Sequence, residues 1–146
     1  INPDLNVGGG KIFYLPENAS EIDLSKYDYI IDAIDSIGDK MLLMLRACET
    51  DAVFFSSMGA ARKLDSSRIS VAEFWKVKGC PLGSALRRKF RASGEFPKKK
   101  FKCVYSDEQP SAFVEGGLGS LHHITAVFGL TMAGLVVNDV CAKIKA

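Results

Sequence analysis

Between positions 27 and 34 the chain reads YDYIIDAI, a near-continuous run of β-formers that holds Asp28 and Asp32. An apolar run of this length predicts a strand buried on both faces in a parallel sheet. The period then changes. Met41, Leu42, Leu45 and Cys48 recur at helical spacing, so a helix is predicted from about 36 to 49, with Asp35 or Ser36 as its N-cap. Residues 52–56 (AVFFS) return to a short apolar run and predict a second buried strand. Strand, helix and strand in succession form a βαβ unit, whose crossover is almost always right-handed.

The rest of the chain alternates in the same way. SMGAARKLDSSR reads as a loop, and Ile69 to Trp75 alternates as a strand, with Ile69, Val71 and Glu73 on one side. Pro81 occupies a first-turn position and Gly94 a stop position, which predicts a helix between them. Phe101 to Tyr105 is a further strand, 106–120 an irregular loop, and about 121–145 a last helix. Near the start, Gly8, Gly9 and Gly10 form a turn, KIFYL (11–15) a short strand, and Ser20 caps a helical stretch through Leu24. No repeat or low-complexity linker divides the chain, so one structural unit of α/β class is expected.

Composition narrows little. With 146 residues the chain can bury one core. Its formal net charge of +2 predicts no partner by bulk charge, although local clusters can. Cys48, Cys80, Cys103 and Cys141 form no C-x-x-C pair, which argues against zinc-ribbon and thioredoxin chemistry and for reduced thiols in a cytoplasmic setting. The opening INPDLNVGGG lacks the basic and apolar regions of a signal peptide. It also lacks an initiator methionine and reads as the start of a fragment. The longest apolar run, Ile124 to Val137, is short for a membrane span and marks a buried helix; no stable membrane insertion is expected.

Three carboxylates fall within eight positions, at Asp28, Asp32 and Asp35. Ligands of open α/β sheets bind beyond the carboxyl ends of parallel strands, and Asp35 is expected there. It can hold Mg²⁺, which takes oxygen ligands and bridges to phosphates, or it can merely cap the helix. Asp32 lies within the strand end, where a buried carboxylate needs donors. Lys40 either reaches a phosphate or is a solvated helix lysine. Cys80 lies in a loop entering a helix, where a thiol gains reactivity, or it packs as a small apolar residue. Arg87, Arg88, Lys89, Arg91, Lys98, Lys99, Lys100 and Lys102 cluster with only Glu95 opposing. This is either a phosphate-contacting patch, extended by Arg62 and Lys63, or a solvated helix face and a lysine-guarded edge strand. His122 and His123, adjacent on a helix, do not converge on one metal. Trp75 reads as a packing residue rather than a base-stacking platform, and Leu130, Met132, Leu135 and Val136 as core or a contact between copies rather than a lipid anchor.

Several segments carry a resemblance. YDYIIDAIDSIGDK resembles the adenylating segment of the ThiF/MoeB/HesA superfamily of ubiquitin-activating-enzyme-like proteins. The pattern there is a strand followed by D-x-x-D-[NS]-x-x-x-[KR], matched by Asp32, Asp35, Ser36 and Lys40. FFSSMGAARKLDSSRISVAEFWKVKGCPLGSALRRKFR, KCVYSDEQP and GSLHHITAVFGLTMAGLVVNDV resemble, in order, segments of the tRNA threonylcarbamoyladenosine dehydratase branch. The resemblance runs from about residue 1 to 145. It implies a partial Rossmann-like parallel sheet with appended antiparallel strands and a long C-terminal helix. It also implies ATP and Mg²⁺ as cofactors, with Asp35 on the metal and Asp32, Ser36 and Lys40 on the nucleotide side. The implied reaction adenylates N6-threonylcarbamoyladenosine in tRNA and cyclises it. A tRNA face is implied at Arg62, Lys63, Arg87, Arg88, Arg91, Lys98, Lys99 and Lys100.

A homodimer is implied too, and so is a cysteine desulfurase or sulfur-acceptor system as partner. Thioester-forming relatives place a cysteine in a crossover loop, which makes Cys80 the nucleophile candidate, although ring closure needs none. The zinc-binding C-x-x-C pairs of other branches are missing, so no zinc is expected. The family's G-x-G-x-x-G nucleotide loop, ribose-binding acid and phosphate-gripping Arg and Lys are not in these 146 residues. Residues 1–146 are therefore expected to be the C-terminal part of one adenylating domain, inactive alone. Two alternatives stand beside this: adenylation of a ubiquitin-like sulfur carrier's C-terminus, and a non-catalytic dimerisation or interaction module.

Overall fold

The structure, a computed structural model, describes residues 3–10, 14–109 and 119–145. Their elements in chain order are β1 (Tyr29–Asp32), α1 (Ile37–Ala47), β2 (Val53–Ser57), β3 (Ile69–Glu73), α2 (Pro81–Ser93), β4 (Lys102–Ser106) and α3 (His122–Lys145). Single 3-10 turns cover Ala19–Glu21, Leu24–Lys26, Ser66–Arg68 and Phe74–Lys76. The sheet order is β1-β2-β4-β3. β1, β2 and β4 run parallel, and β3 pairs antiparallel with β4. The expected βαβ unit is present, with Ile30 opposite Phe54 and Asp32 opposite Ser56.

The strand alternation sorts the core into two layers. Phe54 and Cys103 face α1 and α2, together with Met41, Met44, Leu86, Phe90 and Phe101. Phe55 and Val104, one residue on, face α3 through Ile124, Phe128 and Met132. Burying each such side chain contributes about 1.5–3 kcal/mol. Phe74 links the first layer, stacked on Phe101 at 5.2 Å and edge-on to Phe90 at 5.7 Å. α1 buries Met41, Leu43, Met44 and Ala47. This face is rotated from the expected one, because Leu42 and Leu45 are only half-buried. α2 is bounded as the sequence predicts: Pro81 opens it and Gly94, at φ +74°, ends it.

Some expectations are corrected. β1 is an edge of the described sheet, and Ile31 is 49% exposed rather than buried on both faces. α3 is not a buried helix. It packs one stripe, Ile124, Phe128 and Met132, and leaves Leu130 73% and Ile144 78% exposed. By length and composition alone it is apolar enough to cross a membrane. The helix is tied down at both ends: His123 Nε2 lies 3.0 Å from the Leu64 carbonyl, and Tyr29 donates to Asp139 at 2.7 Å. The appended antiparallel part is one strand, β3. Ser20 caps nothing; Asn18 and Asp23 sit at the caps of the two short turns. The strand expected at 11–15 lies mostly outside the described residues, and Tyr14 and Leu15 carry none. Most of the irregular loop at 106–120 also lies outside them.

Two glycines with positive φ differ in surroundings. A Cβ at Gly79 (φ +64°) would lie 2.7 Å from the Asp107 carbonyl oxygen, whereas one at Gly94 meets nothing. Gly94→Ala is expected to cost about 1 kcal/mol from strain alone, and Gly79→Ala roughly 2–4 kcal/mol from strain plus overlap. Urea unfolding of the two variants measures this, and equal losses would contradict the close approach at Gly79.

Candidate functional site

The sequence places a carboxylate at the last residue of β1, and the register sets it opposite Ser56 of β2. Asp32 is fully buried and accepts from three donors. The Ile34 N–H donates at 2.9 Å, Ser56 Oγ at 2.6 Å and Lys40 Nζ at 2.7 Å. Lys40, on the first turn of α1, is also fully buried. Its other protons go to the carbonyls of Ile34 at 2.9 Å and Ser57 at 2.7 Å. An ammonium has three donors, and all three are used. Lys40 is therefore neither the solvated helix lysine nor the phosphate-reaching cation that the sequence suggested. Together with Asp32 it fastens the ends of β1 and β2 to the start of α1.

Directly beyond those strand ends lies a cleft of about 420 Å³. Ile31 of β1 with Ile34 and Asp35 just after it, Ser57 of β2 with the following Met58 to Ala60, Leu82 of α2, and Thr125, Phe128, Gly129 and Met132 of α3 border it. Asp35 is exposed at its lip, and its carboxylate makes no hydrogen bond or ion pair among the described residues. The expected location beyond the parallel strands is thus where the structure places it. Ser36 is the N-cap residue of α1, but its hydroxyl makes no capping bond and stays exposed. Asp35 is on the rim and Ser36 follows it outside the lining, while Asp32 and Lys40 are sealed in the interior and do not line the cleft.

The donor set bears on a metal. No group of three His, Cys, Asp or Glu side chains that could hold a metal ion is found among the described residues. One open carboxylate fits Mg²⁺, which is commonly held by one or two carboxylates with phosphate oxygens and water, and does not fit an all-protein cage.

Other candidates separate. Cys80 is 1% exposed and is the N-cap of α2, its Sγ accepting from the Gly83 N–H at 3.4 Å. A sealed, capping sulfur is not an accessible nucleophile. Burial pushes the Cys48 thiol up to about 11 and the Cys103 thiol higher still. Lys63 is buried and donates to the Ser106 and Glu108 carbonyls, so it is not part of an RNA-facing surface. Lys99 donates to the carbonyls of Thr50 and Ala52. Arg87 turns onto the Phe74 carbonyl at 3.1 Å, and Lys98 pairs with Glu49 at 2.8 Å. Arg88, Arg91 and Lys100 remain exposed and make no ion pair among the described residues. Arg62 stands apart near Gly119, with φ +57°.

Sequence reasoning missed Ser56 and the α3 residues that border the cleft. Ser56 was recoverable from the strand register. The α3 residues lie about seventy positions from the second strand, and no local pattern announces them.

No protein-family model matches the chain. It is similar to the tRNA threonylcarbamoyladenosine dehydratase of Bacillus subtilis, 32% identical over 99% of this chain and 63% of that protein. The enzyme of the same description from Escherichia coli is 27% identical over 98% of this chain and 63% of that protein. The crystal structure of the Escherichia coli enzyme with AMP matches with a TM-score of 0.86 at 27% identity, covering 99% of this chain and 61% of that one. Its complex with ATP matches at 0.85 and 28%, covering 99% and 60%. The chain spans about three fifths of the length of these relatives.

Two outcomes are expected. Lys40→Met strands a buried carboxylate and should cost about 3–5 kcal/mol, while Lys40→Met with Asp32→Leu should recover much of it. Urea unfolding of the double-mutant cycle measures this, and additive losses would contradict the pairing. In native protein a thiol reagent should modify exposed Cys141 and spare Cys48, Cys80 and Cys103. Rapid modification of Cys80 would show that it is open after all.

Proposed function

We propose that the chain, similar along nearly its whole length to tRNA threonylcarbamoyladenosine dehydratases, is ThiF/MoeB-like and forms the Asp35 side of an ATP-dependent adenylating site. The observation that carries this is the open carboxylate of Asp35 on the lip of the cleft beyond β1 and β2. That a relative of this fold has been crystallised with ATP and with AMP supports it.

In this reading the threonyl carboxylate of N6-threonylcarbamoyladenosine in tRNA attacks the α-phosphorus of ATP and pyrophosphate leaves. A nucleophile within the same modified nucleoside then displaces AMP and closes the ring. Mg²⁺ held at Asp35 would neutralise the phosphate charge that develops. The chain's own residues do the rest of the work on this side. Asp35 would hold the metal. The N-terminus of α1, with the free Ser36 hydroxyl, presents unpaired backbone donors toward an anion. Asp32 and Lys40 hold both strand ends still, so the charge is stabilised without rearrangement. Arg62, Arg88, Arg91 and Lys100 are the cations left to meet tRNA phosphates. The glycine-rich loop and its partners would come from the remaining two fifths of a full-length protein. The exposed apolar side of α3 is the contact between two copies, and the setting is cytoplasmic. Partnership with a cysteine desulfurase system rests on resemblance alone.

The test uses full-length protein with ATP, Mg²⁺ and tRNA carrying the linear modification. Asp35→Ala should lower cyclisation about 10²–10³-fold and leave the unfolding temperature unchanged, since the carboxylate is exposed and unpaired. Cyclisation at the wild-type rate would remove the metal role assigned to Asp35.

A further inference from the structure

The Phe74–Lys76 turn and the residues after α2 bring two exposed aromatic rings together. Trp75 is 38% exposed and Phe96 50%, with ring centroids 6.0 Å apart. Trp75 is supported from behind by Phe74 at 5.1 Å and Phe90 at 6.2 Å. The Trp75 backbone N–H is taken by Glu73, but the indole N–H makes no hydrogen bond among the described residues. The ring is backed by Phe74 and Phe90 yet exposed, so one face and its N–H stay open to solvent or to a ligand.

This pair lies at the far end of α2 from the cleft. Leu82, in the first turn, borders the cleft, and Phe90, eight residues on, touches Trp75. The rise between them is about 12 Å. Along the outer side of the same helix Ser84, Arg88 and Arg91 are exposed, at i, i+4 and i+7. Lys89 leans the other way, its Nζ 3.6 Å from where a Cβ on Gly38 of α1 would sit. Lys76 and Lys78 follow Trp75 in sequence and are exposed, as is Lys100 after Phe96. None of these cations makes an ion pair among the described residues.

We propose that Trp75 and Phe96 form a stacking platform for unpaired RNA bases, joined to the cleft by the basic outer side of α2. The inference deepens the tRNA reading given above and rests on it. Free cations track a phosphate backbone, and exposed rings take bases of any sequence by their faces. An apolar protein partner would bury the rings as well, but it would leave the surrounding cations without counter-charge. RNA satisfies both features at once, as basic residues interleaved with aromatics do in single-strand binding sites.

The experiment measures binding of full-length protein, without ATP, to tRNA and to heparin, a polyanion that has no bases. Phe96 is half exposed, so Phe96→Ala should fold normally. It should bind tRNA about tenfold more weakly and heparin as the wild type does, and Phe96→Tyr should restore tRNA binding. Arg88→Glu with Arg91→Glu should weaken both ligands and flatten the salt dependence. Wild-type tRNA binding by Phe96→Ala, or equal losses for tRNA and heparin, would overturn the platform and leave the adenylating site standing. Absence of tRNA binding by the wild type would overturn the tRNA reading together with it.

Discussion

The buried pair of Asp32 and Lys40 is the constraint on which the site depends. Taking two charges out of water costs several kcal/mol per ion, and their attraction offsets this only when every remaining donor and acceptor is satisfied. That condition is met. Asp32 receives a backbone N–H, a serine hydroxyl and the ammonium, and the ammonium's remaining protons reach two carbonyls. No buried side-chain nitrogen or oxygen is left unpaired among the described residues. The pair joins three segments that an apolar cluster could hold at about the right distance but not in one register. Its contribution is definition more than stability. The ends of β1 and β2 stop at the same level, and α1 starts from a fixed point above them.

Two carboxylates three residues apart consequently have opposite roles. Asp32 still belongs to the strand and turns under the sheet end, where desolvation demands a cation. Asp35 lies beyond the strand, is exposed and stays unpaired. In the proposed reading, a carboxylate that binds and releases a nucleotide's metal cannot also be a structural ion-pair partner, because each new arrangement would disturb the core. Separating the two functions lets the exposed group exchange ligands while the buried one remains fixed. The buried carboxylate shapes the strand ends beneath the cleft, and the exposed one is the group proposed for its chemistry.

Backbone architecture was legible in the sequence wherever period and punctuation agreed. The apolar runs at 27–34 and 52–56 gave two adjacent parallel strands, and Pro81 and Gly94 bounded α2 correctly. Asp35 was placed at the cleft because strand ends are predictable from where the apolar run stops. Lysines were misread. A lysine on a helix or in a polar loop is normally solvated, and nothing local distinguishes Lys40, Lys63 or Lys99 from Lys89 or Lys100. What engages them is a set of backbone carbonyls from other parts of the chain. Cys80 misled for a related reason: a helix start suggests a reactive thiol, but the sulfur itself is the cap and is closed over.

The three spent lysines follow one scheme, and it defines the charged surface. Lys40 binds carbonyls at residues 34 and 57, Lys63 at 106 and 108, and Lys99 at 50 and 52. In each case an ammonium satisfies two acceptors where a strand begins or ends, the places where ladder bonding runs out. Charge used this way stabilises the sheet and is withdrawn from any external ligand. The positive surface is therefore smaller than the sequence cluster at 87–102 implies. Of the cations that remain, Arg88 and Arg91 lie along the outer side of α2 and Lys76 and Lys78 follow Trp75, while Lys102 on β4 and Arg62 lie elsewhere. In the proposed reading a polyanion would follow Arg88 and Arg91 along α2 away from the cleft, with Arg62 as a separate point of attraction, so the lysines that complete the fold also shape what can bind to it.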